Sequence, residues 1–85
     1  MTAAFAQRCG AYDEAARTYK STKVNQAARE SFGEMKRVRS EIEGLVESSM
    51  MFLRGDARTR DASARAAVET LAYFNTWIFT RGGWS

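Results

Sequence analysis

A stripe in the middle of the chain follows the period of an α-helix without interruption. Its members are separated alternately by three and four residues, and they are Met35, Val38, Ile42, Leu45, Ser49 and Phe52, with Ala28 in phase ahead of them. This spacing predicts one helix over about residues 23–54, roughly 45 Å long at 1.5 Å per residue. The opposite face pairs Arg37 with Glu41 at i,i+4 spacing, which is typical of a solvated surface. A helix of this length needs other elements to cover its apolar side.

The rest of the composition also favours helix. The chain has 85 residues, no proline and only six glycines, and proline is the strongest helix breaker. A first helix is predicted over about residues 2–20, with its apolar stripe at Phe5, Cys9, Tyr12, Ala16 and Tyr19. The segment 20–22 ends this helix, and Ser21 or Thr22 is expected to cap the next one.

A third helix is predicted over about residues 56–80, followed by a tail at 81–85. Gly55 is expected to end the second helix in a left-handed conformation, and Asp56 to cap the third. Gly82 and Gly83 then stop the third helix. Its predicted inner face contains Ala64, Ala67, Val68, Leu71, Phe74, Asn75 and Ile78.

These elements predict an all-α fold. The short turn at 54–56 makes the second and third helices fold back on each other as a long antiparallel hairpin. The N-terminal helix either packs on this hairpin, which gives a three-helix bundle in a single helical domain over 1–85, or extends along a partner. A chain of this size buries only about 60% of its unfolded surface, so a partner would add useful stability.

Residues that carry chemistry are scarce. Histidine is absent, and Cys9 is the single cysteine, so the chain lacks the commonest zinc ligand and general base and has no internal disulfide. Cys9 lies in the apolar stripe of the first helix, which indicates a buried structural thiol. The carboxylate pair Glu30 and Glu34 lacks the histidines of a di-metal bundle. We therefore expect no catalytic residues, no metal, no cofactor and no enzymatic activity.

The charge distribution bears on anionic partners. Lys and Arg number 13 against 10 Asp and Glu, a net charge of +3. Arg54, Arg58 and Arg65 lie near the hairpin turn and are a candidate anion contact. Asp56 and Asp61 interrupt them, whereas a nucleic-acid surface is basic without acidic interruption. Nucleic-acid binding is therefore an alternative and not the main hypothesis.

Aromatic residues are concentrated at the C-terminus. Residues 73–85 hold five of the ten aromatic side chains. Leu71, Phe74 and Ile78 fill the arc of the third helix that faces the hairpin, so other rings point elsewhere. Because aromatic residues and arginine are enriched at interface hot spots, we predict a partner-binding site. It comprises Tyr73, Trp77, Phe79, Arg81 and Trp84.

The resulting functional hypothesis is a non-catalytic interaction protein, a small accessory subunit that docks onto a larger assembly through its aromatic C-terminal helix and tail. A membrane-associated assembly is one possible setting. The alternatives are a small basic nucleic-acid-binding or regulatory protein, and a homodimeric coiled coil through the second helix. No apolar run approaches the roughly 20 residues of a transmembrane helix. The sequence shows no clear targeting segment, a cleaved presequence stays open, and the compartment is undetermined.

Overall fold

The computed structural model describes residues 2–23, 25–55 and 62–84, and its architecture is all-α. Three helices follow one another, α1 over Thr2–Ser21, α2 over Asn25–Gly55 and α3 over Ala62–Arg81. The first two lie within two residues of their predicted bounds. The predicted start of the third helix, with its cap at Asp56, falls outside the described residues.

The helices form an up-down-up bundle. Tyr19 near the end of α1 contacts Phe32 near the start of α2, and Arg8 pairs with Glu41 further along, so α1 and α2 are antiparallel. Phe5 meets Tyr73 and Asp13 meets Arg81, so α1 and α3 are parallel. The predicted antiparallel hairpin of α2 and α3 is present, and α1 packs on it as a three-helix bundle.

The bundle is long and its cross-section changes along its length. It measures 52 × 20 × 18 Å. α2 has 31 residues and is longer than α1 and α3, which have 20 residues each. α1 covers the N-terminal part of α2 and α3 covers the C-terminal part. All three helices are side by side only in the middle, and each end consists of two helices.

The core occupies this middle zone. Its buried members are Phe5, Cys9, Tyr12, Ala16, Val38 and Ile42, and the partly buried residues packed against them are Met35, Val46, Phe74, Trp77 and Trp84. Burial of each large apolar side chain contributes about 1.5–3 kcal/mol. The predicted stripe of α1 is therefore the core face of that helix, except that Tyr19 at its end is exposed.

The predicted stripe of α2 is buried only in part. Val38 and Ile42 are fully covered, whereas Leu45 is 37% exposed and Phe52 is 42% exposed. α1 begins at Thr2, alongside the part of α2 that holds Ser48, so Phe52 lies past the start of α1. Beyond that point the stripe continues without a third helix to cover it.

The predicted inner face of α3 is confirmed at Ala67 and Phe74, which are covered in the bundle, and was wrong at two positions. Val68 and Asn75, both assigned to it, are exposed. The residues that face the bundle are Ala67, Thr70, Phe74 and Trp77, at helical spacing. Ala67 and Thr70 are small and buried, and they line a cleft together with Ala4 and Phe5 of α1.

The helix ends differ in how well the sequence predicted them. Gly82 and Gly83 have positive φ of 76° and 100°, and the amide of Gly83 donates to the carbonyl of Ile78, 2.9 Å away. This is a Schellman cap, as expected of two glycines after a helix. The left-handed cap at Gly55 was wrong, because Gly55 is the last helical residue of α2 and its φ is not positive. Ser21 closes α1 and donates to the carbonyl of Thr18, so it does not cap α2.

Candidate interaction surfaces

Three of the predicted partner-binding residues are used inside the molecule. Asp13 of α1 accepts hydrogen bonds from Trp77 Nε1 at 2.8 Å and from Arg81 Nε at 3.0 Å. The guanidinium of Arg81 also lies against two rings, 4.9 Å from the centroid of Tyr12 and 4.8 Å from that of Trp77. Charge, hydrogen bonding and cation–π attraction thus join α1 to the C-terminal part of α3.

The tail folds back onto the same cluster. The Schellman cap reverses the chain after Arg81, and Arg81 donates a further hydrogen bond to the carbonyl of Gly83. The Trp84 ring then packs between α1 and α2. Its centroid lies 5.1 Å from that of the Tyr12 ring on α1, and the guanidinium of Arg39 on α2 lies 4.8 Å from the centroid of the Trp84 ring. Tyr12 donates its hydroxyl to the Trp84 carbonyl at 2.6 Å. We expected Trp77, Arg81 and Trp84 to point away from the rest of the chain and to contact a partner. The prediction that they make no contacts within the folded chain was therefore wrong.

Two predicted residues remain at the surface. Tyr73 contacts the edge of the Phe5 ring but stays partly exposed. Phe79 is 88% exposed, the highest value among the large apolar side chains of the described residues. Because Phe79 lies on the side of α3 away from Trp77, the intramolecular cluster does not reach it.

The surroundings of Phe79 carry no charge. From Thr70 to Thr80 the sequence holds eleven consecutive uncharged residues. The outer face of α3, as we call the exposed residues of this stretch, comprises Ala72, Tyr73, Asn75, Thr76, Phe79 and Thr80. A solvated helix normally carries charges on its outward side. This face is therefore better suited to a protein contact than to water.

A second surface lies at the opposite end of the bundle, near Thr2, where α1 begins. We call it the tip groove. It is a cleft of about 640 Å³, walled by Leu45 and Phe52 of α2, by Ala66 and Ala67 of α3, and closed at one end by Phe5. It occupies the place that α1 would fill if that helix continued.

The sequence prediction did not include the tip groove. One signal was available, namely the small residues of α3 at Ser63, Ala66, Ala67 and Thr70, whose spacing by three and four marks a side of close approach. All four residues line the groove.

The chemically reactive groups are few in the described ranges. Cys9 is fully buried, and burial together with the negative charge of Asp13 raises the pKa of its thiol to about 11. A thiol that stays protonated at neutral pH is a poor nucleophile, which agrees with a structural role. Within residues 2–23, 25–55 and 62–84, no three metal-binding side chains come together, and no helix combines the length and hydropathy of a membrane span.

Several of the basic side chains form ion pairs with neighbouring carboxylates. Arg37 is held by Glu34 and by Glu41, the latter at 2.7 Å, as the helical spacing predicts. Of the candidate anion contacts, Arg54 and Arg65 are exposed on different helices, and Arg58 falls outside the described residues. Arg54 and Arg65, the two described members of this candidate site, do not by themselves form the continuous cationic face that phosphate binding needs.

Comparison of the chain with known protein families, with curated proteins and with solved structures finds no match.

Proposed function

We propose that this protein is a non-catalytic helical interaction protein, a small accessory subunit that docks onto a larger protein assembly through the outer face of α3. The observation that supports this proposal is Phe79, 88% exposed near the C-terminal end of a helical face whose own residues carry no charge. Exposing a phenylalanine ring to water is unfavourable by about 1.5–3 kcal/mol compared with burying it. A partner that covers the ring recovers that free energy.

The chemistry of the face also indicates what kind of partner fits. Burying a charge without a partner is costly. The residues of the outer face of α3 carry no charge, and the two charges that border it, Asp13 and Arg81, are paired with each other. We infer that the partner presents an uncharged, apolar protein surface. A lipid surface fits less well, because helices that lie in a membrane interface carry Lys and Arg on their polar side. On α3 the nearest basic residue beyond Thr80 is Arg81, which Asp13 holds.

The five predicted partner-binding residues then divide into two roles. Phe79 and Tyr73 supply contact area to the partner. Trp77, Arg81 and Trp84 hold α3 and the tail on α1 and α2, which keeps the outer face of α3 rigid before it binds. A rigid surface loses less conformational entropy on association.

The test compares two surface substitutions in the full chain, expressed with an N-terminal tag in its native cells. We expect the wild-type protein to co-purify with, and migrate as part of, a larger assembly. Phe79→Asp introduces an unpaired charge at the most exposed apolar side chain of the face and should reduce the recovered assembly at least tenfold. Met51→Asp, an exposed position on α2 away from this face, is the matched control and should leave recovery unchanged.

Two outcomes would contradict the proposal. One is a wild-type chain that migrates only at its own size in native extracts. The other is a Phe79→Asp variant that recovers as much assembly as the wild type. Circular dichroism and the thermal midpoint of each purified variant establish that any loss of binding is not a loss of folding.

A further inference from the structure

Two exposed aromatic rings lie against each other near the end of α1 and the start of α2. The centroids of the Tyr19 and Phe32 rings are 5.6 Å apart, and the ammonium group of Lys36 lies 5.4 Å from the centroid of the Phe32 ring. Tyr19 is 41% exposed and Phe32 is 46% exposed. Rings that are ordered by mutual contact and still face water offer contact area at a low cost in conformational entropy.

Basic side chains surround this aromatic pair. On α2, Arg29 precedes Phe32 by three residues and Lys36 follows it by four, so both lie on its side of the helix. On α1, Lys20 lies one turn after the core residue Ala16 and therefore extends the inner side of that helix. The basic face, as we call this surface, comprises Tyr19, Lys20, Arg29, Phe32 and Lys36.

The nearby carboxylates of α1 and α2 are on the other side of the helix pair. Glu30 and Glu34 each lie two positions from Phe32, a rotation of about 200° around α2. Together with Glu14 of α1 they line a cleft that contains no residue of the basic face. The two sides of this helix pair therefore carry opposite charges.

The two carboxylates that flank the basic face from adjacent turns already have partners. Asp13 is paired with Arg81 and Glu43 with Arg39. Within residues 2–23, 25–55 and 62–84, no carboxylate forms an ion pair with Lys20, Arg29 or Lys36. The basic face thus has three positive charges that the fold itself does not neutralise, and Arg17 and Lys23 beside it have the same sign.

The aromatic contacts decide which class of anion fits this surface. Single-stranded nucleic acids bind by stacking their bases on free ring faces, whereas the Phe32 ring is already in contact with Tyr19 and Lys36. The surface is also short, because Arg29 and Lys36 are seven residues apart, roughly 10 Å along α2. A short segment of protein with carboxylates around an apolar side chain matches both the charges and the exposed rings.

We propose that the basic face binds an acidic protein segment. Carboxylates of the segment pair with Lys20, Arg29 and Lys36, and an apolar side chain between them packs against the exposed edges of Tyr19 and Phe32. This contact is separate from the outer face of α3 and does not depend on it. Because exposed ion pairs contribute little each and the area is small, the dissociation constant is expected between roughly 10 µM and 1 mM.

Fluorescence anisotropy of a labelled peptide, composed of glutamates around one central leucine, tests this proposal on the purified full chain. Lys20→Glu combined with Lys36→Glu should raise the dissociation constant at least tenfold. The matched control combines Arg54→Glu with Arg65→Glu, which changes the net charge equally at exposed sites elsewhere, and should stay within threefold of the wild type. Binding should also weaken at least fivefold between about 50 and 200 mM salt, since exposed charges are screened.

The apolar part of the contact has its own test. Replacing the leucine of the peptide by serine should weaken binding to the wild type at least threefold, and Phe32→Ser should do the same for the original peptide. The two changes together should not add, because they remove the same contact. Additive losses would contradict the placement of the apolar side chain on Phe32.

Three further outcomes would overturn the proposal. One is equal weakening by the two double variants, which would show a response to net charge alone. The others are tighter binding of an oligothymidine, or of vesicles that contain phosphatidylglycerol, than of the peptide, which would make the basic face a nucleic-acid or a lipid contact. Circular dichroism and thermal midpoints verify that each variant folds. Phe79→Asp should leave peptide binding unchanged, so this proposal and the proposed function fail independently.

Discussion

Asp13 shows how a single carboxylate fixes one helix against another. It accepts from Trp77 and from Arg81, and the Arg81 side chain is only 15% exposed. A guanidinium at that depth needs a charged acceptor to offset the lost hydration. Trp and Arg are also the residue types that interfaces favour. Residue type alone therefore did not distinguish the internal cluster from a partner-binding site.

Cys9 gives a residue-scale prediction about pH. Its pKa is raised to about 11 in the folded state, mainly by burial, against an ordinary value of 9.0. Between pH 9 and 11 the unfolded chain loses the thiol proton while the folded chain keeps it, so the unfolded state gains stability as pH rises. We expect this residue to lower the free energy of unfolding by about 1 kcal/mol per pH unit in that window.

The control for this prediction is Cys9→Ala. Both proteins retain every other ionisable group, so a difference between them isolates the thiol. Urea unfolding at several pH values between 8 and 11 therefore gives two slopes, and the wild-type slope should be the steeper. Equal slopes would show that the thiol does not titrate differently in the folded and unfolded states.

At the scale of the element, the length of each helix was easier to predict than its orientation. α2 has a clear polar face with ion pairs, so its apolar stripe pointed unambiguously inward at Val38 and Ile42. α3 has no charges between Thr70 and Thr80, so nothing in its pattern marks an outside. The sequence therefore predicted which residues of α2 form the core. It placed Asn75 on the wrong side of α3 because an uncharged stretch of helix leaves its rotation to its neighbours.

Two glycine positions give an element-scale prediction. Gly82 adopts φ of 76° at the end of α3, where an alanine is strained by about 1–2 kcal/mol. Gly10 lies exposed within α1, and an added Cβ there meets no atom within 4 Å. Gly82→Ala should therefore destabilise the protein by about 1 kcal/mol. Gly10→Ala should stabilise it by roughly 0.5–1 kcal/mol.

The two substitutions are chemically identical, so each serves as a control for the other in thermal or urea unfolding. Shifts of the same sign would contradict the prediction. Gly55 illustrates the limit of this reasoning from sequence alone. A glycine before an aspartate resembles a cap, yet Gly55 is helical, because glycine permits a left-handed turn without requiring one.

At the scale of the whole molecule, the controlling feature is the mismatch between one helix of 31 residues and two of 20. Periodicity predicted three helices and an antiparallel hairpin. The uneven cover of α2 depends on where α1 begins relative to α2 and α3. That offset comes from packing at Asp13 and Trp84, far from the groove it leaves open.

This mismatch predicts an uneven distribution of stability along α2. Amide hydrogens near Val38 and Ile42 lie where three helices meet, whereas those near Phe52 lie where only α2 and α3 pair. Native-state hydrogen exchange should show opening free energies at least about 2 kcal/mol higher in the middle than near Phe52. Uniform protection along α2 would contradict the prediction.

The pairing of Trp77 with Trp84 has a practical consequence for spectroscopy. The two indoles are the only ones in the chain, and their ring centroids are 5.6 Å apart. All intrinsic tryptophan emission therefore originates from one spot, where the tail meets α1. The emission should change when the C-terminal tail detaches from α1. It should not respond to a structural change near Phe52, some helical turns away. The protein thus carries a built-in optical label for one end only.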